Sequence, residues 1–141
     1  TLISTSTLET VASWFPGIGV DEMRLRLRAN IEIGGVPPFW EDQLFAKEGE
    51  VVHFQIGEVR FEGINPCQRC IVPTRNPLTG DAYPRFQKIF SEMRQKTLPS
   101  QIERSRFNHF YRLSVNTRIP ASEAGKMLKI GDEIQCSARF E

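Results

Sequence analysis

The sequence is poor in cysteine and in histidine, and it carries no excess of either charge. Three cysteines stand among 141 residues, at positions 67, 70 and 136. An odd, low count argues against a disulfide scaffold and for a reducing compartment, so a cytoplasmic location is expected. The only histidines are His53 and His109, which leaves a zinc centre few ligands to draw on. A formal net charge of +1 gives the chain as a whole no pull on nucleic acid or on a membrane surface. No apolar run approaches the roughly 18 residues of a membrane span. No basic start followed by an apolar stretch marks a signal peptide. Internal repeats and low-complexity tracts are also missing.

What is there is ordinary globular material. The length suits one domain with one sizeable core. Forty per cent of residues are hydrophobic and 25% are charged, as in typical soluble domains. Residues 1–141 are read as a single domain. The chain opens on Thr1 rather than Met, so a fragment of a longer protein is expected.

Thr5 to Phe15 has helical spacing at Leu8, Val11, Ala12 and Phe15, with Ser6 and Glu9 at capping-box distance. Arg24 to Ile33 alternates, with Leu25, Leu27, Ala29, Ile31 and Ile33 against Arg24, Arg26, Arg28, Asn30 and Glu32. That pattern predicts a strand. Two strands, 51–56 and 58–64, meet near Gly57 as a hairpin. Phe86, Ile89, Phe90 and Met93 predict a helix over 85–96. Residues 107–116 and 133–140 read as strands, the second with Ile134, Cys136, Ala138 and Phe140 inward. Several strands with about two peripheral helices predict a mostly β, α+β domain resembling a small barrel.

Pro66-Cys67-Gln68-Arg69-Cys70 is the most informative stretch. Structural zinc wants four ligands, and none of Cys136, His53 or His109 pairs at knuckle spacing. A thioredoxin-type dithiol wants a helix after the first cysteine, whereas Ile71-Val72-Pro73-Thr74 follows here. A single reactive thiolate remains, as a soft-metal ligand or a sulfur carrier. Arg69 adjoins Cys70, and a nearby cation favours the thiolate. The bland alternative is two buried cysteines beside a turn.

The order of motifs carries further. Arg26-Leu27-Arg28-Ala29-Asn30-Ile31 is followed by Gly35, then by Pro37-Pro38-Phe39-Trp40-Glu41-Asp42. The cysteine stretch comes next, then Pro77-Leu78-Thr79-Gly80, then Ile130-Gly131-Asp132-Glu133-Ile134. This set resembles the MOSC domain, named for the C-terminal domain of molybdenum cofactor sulfurases. The mitochondrial amidoxime-reducing component and its bacterial relatives carry the same domain. The resemblance covers roughly residues 2 to 140.

The resemblance implies a mostly β, barrel-like fold and the molybdenum cofactor, molybdopterin, as ligand. It places the catalytic and metal-ligating cysteine on Cys70, with Cys67 in support. Its pterin- and phosphate-contacting element falls on Arg28 and Asn30. A guanidinium can hold a phosphate by paired hydrogen bonds, and an asparagine offers a donor and an acceptor to a pterin edge. The alternative for Arg24, Arg26 and Arg28 is a solvated strand face. Arg69 and Thr74 are expected to reach the same ligand, and Thr7 to reach it or merely cap its helix. Glu41-Asp42 is expected to order its loop. His109 is read as a packed or exposed strand residue.

The implied activity is the reduction of N-hydroxylated substrates by a molybdenum oxidoreductase. The alternative is a sulfur carrier or cofactor-delivery module, with a persulfide on Cys70. Implied partners are an electron donor such as a ferredoxin or flavoprotein, or a molybdoenzyme acceptor. An N-terminal β domain usual in the family is not in these residues. Pyridoxal phosphate binding belongs to the wider family's sulfurases, through a separate domain that these residues also lack. A third expectation is a stable barrel that is inactive without its missing partner domain.

Overall fold

A computed structural model describes residues 1–136. Six strands form one curled sheet, a half-barrel, in the order β2-β1-β5-β4-β3-β6. They are β1 (Leu2–Ser4), β2 (Ile31–Ile33), β3 (Val52–Ile56), β4 (Val59–Gln68), β5 (Arg112–Arg118) and β6 (Ile134–Cys136). Strands β1 and β2 run parallel, and every other pair is antiparallel. Among the described residues there are three α-helices: α1 (Thr5–Ser13), α2 (Val20–Leu27) and α3 (Phe86–Thr97). None is long and apolar enough to cross a membrane.

The α+β reading holds, but one predicted strand does not. Of residues 24–33 only Ile31–Ile33 is extended, and Arg24–Leu27 close α2. The helix rests on Val20, Met23 and Leu27, which share one face at i, i+3 and i+7. Asp21 and Glu22 suit its first turn, and Arg24 and Arg26 its last. Glu22–Arg26 and Asp21–Arg24 add pairs at helical spacing. Leu25, inward in the alternating reading, is 56% exposed. Helix α1 starts at Thr5 as expected, but it ends at Ser13, two residues short of Phe15, and Ser6 is not its cap. Its N-cap is Ser4, whose hydroxyl accepts from the Thr7 N–H at 3.1 Å, while Ser6 donates to the Val36 carbonyl at 2.6 Å.

The hairpin at Gly57 and the helix over 86–97 match their expectations. Strand β5 begins at Arg112, five residues later than predicted from Phe107. Phe107 is buried, stacks on Phe110 and meets Phe45, so core contacts shape this segment rather than a ladder. Strand β6 is short, with Ile134 and Cys136 half-buried. Ala138 and Phe140 lie outside the described residues.

Two apolar clusters make the core. Leu8, Val11, Phe15, Met23, Leu27, Phe86 and Phe90 join the three helices. Leu2, Leu44, Phe54, Phe61, Phe107 and Val115 fill the curl of the sheet. Between them lies a polar layer. Arg94 forks onto Asp42 at 2.7 and 2.8 Å, with the side chains 0% and 1% exposed. Glu41 accepts from the Ser4 N–H at 2.9 Å, and its other carboxylate oxygen is buried without a partner. Burial raises the Glu41 carboxyl above its ordinary range, against the pull of that N–H.

A raised folded value means that the unfolded chain ionises first, so Glu41 subtracts stability as pH climbs above the usual carboxylate range. Glu41→Gln should therefore melt close to the parent at pH 4 and higher than the parent at pH 7. Thermal scans at the two pH values measure this, and a constant difference between them would reject it.

Gly63 has no room for a side chain. A Cβ there would stand 1.7 Å from the Leu44 carbonyl oxygen, where the 3-10 turn Trp40–Leu44 crosses β4. Gly63→Ala should destabilise by about 1–3 kcal/mol or more, the range of overpacked cores. The urea midpoint would show it.

Candidate functional site

Strand β4 delivers the first cysteine, and a slip in its register decides which way that cysteine faces. Val59, Phe61 and Gly63 point inward, and the same parity would bury Cys67. Pairing with β5 jumps from Gly63↔Thr117 to Asn65↔Asn116, leaving Ile64 as an extra residue. One inserted residue reverses the faces beyond it. Pro66 consequently turns inward and Cys67 half outward. A second irregularity follows, with Leu113 and Ser114 standing opposite Cys67 alone. Ser114 takes a left-handed φ of +65°, a conformation that needs local support.

That support includes Arg69. Its guanidinium donates to the Ser114 hydroxyl at 3.3 Å, to Cys67 Sγ at 3.5 Å and to the Leu27 carbonyl that ends α2 at 2.5 Å. Its Nε is buried without a partner. Adjacency in sequence placed this cation on Cys70; the fold turns it onto Cys67. Tyr111 straps the loop between the cysteines. Its carbonyl accepts from the Arg69 N–H at 3.0 Å, and its hydroxyl donates to the Cys70 carbonyl at 2.9 Å. Burial, more than the nearby Cys70 sulfur, pushes the Tyr111 phenol up to about 12. Buried Arg26 ties α2 to the same loop by donating to the Pro73 carbonyl at 2.9 Å.

Cys70 therefore stands exposed on a braced loop. It lines a cleft of about 380 Å³ together with Arg26, Arg28, Asn30, Cys67, Arg69, Val72 and Pro73. Five of the residues singled out from sequence thus meet here: Arg28, Asn30, Cys67, Arg69 and Cys70. They do so by a different route from the one foreseen. Arg28 and Asn30 do not share a strand face. Arg28 is the left-handed C-cap of α2 at φ +56°, and Asn30 sits in the turn before β2. The Arg28 side chain makes no hydrogen bond to another described residue. Asn30 Oδ1 accepts from the Thr1 nitrogen at 2.6 Å.

Two other residues lie away from the cleft. Thr74 is buried, and its hydroxyl donates to the Ile71 carbonyl at 2.5 Å, inside the turn Val72–Thr74. Thr7 is fully buried on α1, accepting from the Ser4 hydroxyl at 2.8 Å and from the Phe39 N–H at 2.7 Å. Glu41 and Asp42 stay in the buried polar layer. His109 lies in the loop before β5 rather than in the strand, beside Cys70 and Tyr111. Burial first, then Arg112, lowers its imidazole below the ordinary value.

Sequence reasoning overlooked Arg26 and Tyr111 as struts. The i,i+4 spacing of Glu22 and Arg26 was the available signal for the first; Tyr111 had none. A wider groove, about 700 Å³, runs between β2 and residues 128–134, but no thiol lines it. Among the described residues no three His, Cys, Asp or Glu side chains converge to hold a metal ion.

Comparison with known proteins places the whole chain rather than the site. A 77-residue stretch covering 55% of the chain is 34% identical to the molybdenum cofactor sulfurase of Caenorhabditis elegans. That stretch is 10% of the sulfurase's length, so the likeness concerns one part of a much larger protein. The MOSC domain pattern matches residues 1–135, nearly the whole chain and both walls of the cleft. The chain belongs to the MOSC domain family.

Proposed function

We propose that this chain is the cofactor-binding domain of a molybdenum-dependent oxidoreductase acting on N-hydroxylated substrates, with Cys70 as the metal's protein ligand. The observation that carries the reading is the exposed Cys70 thiol on the wall of a cleft that Arg28, Asn30 and Cys67 share. The donor set fits molybdopterin. A soft thiolate suits the metal, and the uncommitted Arg28 guanidinium suits the phosphate tail. Asn30 suits a pterin edge, and the buried, unpartnered Arg69 Nε leaves one more donor in the wall.

When bound, the cofactor supplies two-electron chemistry at the metal. The chain's own part is to place the sulfur and keep it placed. Arg26, Arg69 and Tyr111 hold the loop at three points, which fixes the ligand's position as outer contacts do around metal sites. In the overall reaction the N–O bond breaks, two electrons and two protons are taken up, and the N–H product and one water leave. The electrons come from a partner of the ferredoxin or flavoprotein class. We further propose that the chain is a piece of a longer protein, whose preceding β domain covers the cleft, in a reducing compartment that keeps the thiols free.

Metal and pterin analysis of the purified protein tests the reading, together with reduction of benzamidoxime by a chemically reduced viologen. Stoichiometric molybdenum and amidine formation support it; their joint absence from the full-length protein rejects it. The paired thiols at one cleft and the sulfurase relative favour a second reading. In it a donor persulfide gives its outer sulfur to Cys70, breaking the donor's S–S bond, forming one on Cys70 and releasing the donor thiol. Intact-mass spectrometry would then show Cys70 heavier by about 32 Da, one sulfur atom.

A further inference from the structure

Cys70 also lines a second cleft, of about 450 Å³, which shares only Gln68, Arg69 and Cys70 with the first. Its remaining walls are Ile71, Gln87, Ser91, His109 and Tyr111. Gln87 and Ser91 are one turn apart on α3 and so share a face. The Tyr111 hydroxyl is spent on the Cys70 carbonyl. The side chains of Gln87, Ser91 and His109 make no hydrogen bond to another described residue. Three uncommitted polar groups from two separate segments thus face one space beside the thiol. No aspartate or glutamate lines that space, and Arg69 does.

We propose that this second cleft is the substrate pocket, and that it admits a neutral, amide-like N-hydroxylated molecule while rejecting the cationic product of its reduction. This rests on the function proposed above. An amidoxime presents an NH2 donor, a nitrogen acceptor and a hydroxyl. The Gln87 carboxamide, the Ser91 hydroxyl and the His109 ring offer matching acceptors and donors. The amidine formed by reduction is a cation at pH 7. It would lose water without gaining a carboxylate, and the cation in the wall, Arg69, carries the same sign of charge. Charge therefore favours entry of the substrate and departure of the product.

The test is calorimetric titration of the purified protein, carrying its cofactor, with benzamidoxime and separately with benzamidine. Benzamidoxime should bind at least ten-fold more tightly. Gln87 is exposed, so its variants should fold. Gln87→Ala should weaken benzamidoxime binding and raise its KM several-fold, with molybdenum content unchanged. Gln87→Glu, which adds a carboxylate to the same place, should reverse the order so that benzamidine binds more tightly. Equal binding of the two compounds, binding of neither, or an order untouched by Gln87→Glu would overturn the proposal. If molybdenum and reduction are present but the order does not respond, this pocket fails and the cofactor reading survives. If neither is present, the cofactor reading fails and the substrate assignment falls with it, and a reversal by Gln87→Glu then reports only a charge-selective cleft.

Discussion

Cys70→Ser is expected to strip molybdenum from the purified protein and to cut amidoxime reduction by more than about a hundred-fold, beyond the 10–100-fold that loss of an outer contact produces around metal sites. A serine hydroxyl is a hard and weakly acidic replacement for a soft thiolate. The substitution should leave the fold alone, because Cys70 is exposed and its structural bond to Tyr111 uses the backbone carbonyl. Its melting temperature should match the parent's, as for surface changes worth about 0.5 kcal/mol or less. Cys67→Ser separates the roles of the two sulfurs. Cys67 is half-buried and touched by Arg69, so its loss should loosen the wall and lower activity by roughly ten-fold while metal remains. Metal analysis and steady-state rates on both variants decide the matter. Full molybdenum in Cys70→Ser with none in Cys67→Ser would move the ligand to Cys67, where the guanidinium already sits.

The residues that meet at the cleft were easier to read from the sequence than the backbone that carries them. Arg28, Asn30, Cys67, Arg69 and Cys70 were found as motifs, and motifs survive an error in secondary structure. The strand assigned to residues 24–33 was such an error. Leu25 and Leu27 alternate with arginines whether the segment is strand or helix, and a short window does not separate the two periods. The acid-first, base-last order of Asp21, Glu22, Arg24 and Arg26 did carry the helix, but only with Val20 and Met23 included in the window.

Some features had no local signature. The extra residue at Ile64 turns Cys67 outward, yet nothing in Glu62-Gly63-Ile64-Asn65 announces it; the slip exists only against β5. Arg69 looked like the partner of Cys70 because they are neighbours in sequence. Its reach to Leu27, Ser114 and Cys67 depends on where α2 ends and where β5 bulges, which are long-range facts. Thr7 and Thr74 were chosen for their hydroxyls, and both hydroxyls are committed inside the fold, Thr7 on α1 to Ser4 and the Phe39 N–H, and Thr74 to the Ile71 carbonyl in its own turn. Short hydroxyl side chains find such partners readily.

Asp42→Ala should be the most damaging substitution to stability among the polar residues, by about 3–5 kcal/mol, because it leaves a buried guanidinium without its counter-charge. The Arg94 head is clamped on every side. It forks onto Asp42, donates through Nε to the Arg112 carbonyl at 2.9 Å, and lies over the rings of Phe39 at 4.9 Å and Phe107 at 5.2 Å. Phe39 belongs to the helical cluster and Phe107 to the sheet cluster, so this one cation is packed between both halves of the core. A loss of that size is a large share of the roughly 5–15 kcal/mol that holds a domain together, and melting should fall by about 10 °C. The double variant Asp42→Leu with Arg94→Met should recover much of the loss, since an apolar pair removes the stranded charge as well as the bond. Recovery would be incomplete to the extent that the Arg112 carbonyl loses its donor. Chemical denaturation of the single and double variants separates the terms. An Asp42→Ala protein as stable as the parent would mean that Arg94 finds solvent, and that the two clusters are less tightly joined than the stacking of Phe39 and Phe107 on one guanidinium requires.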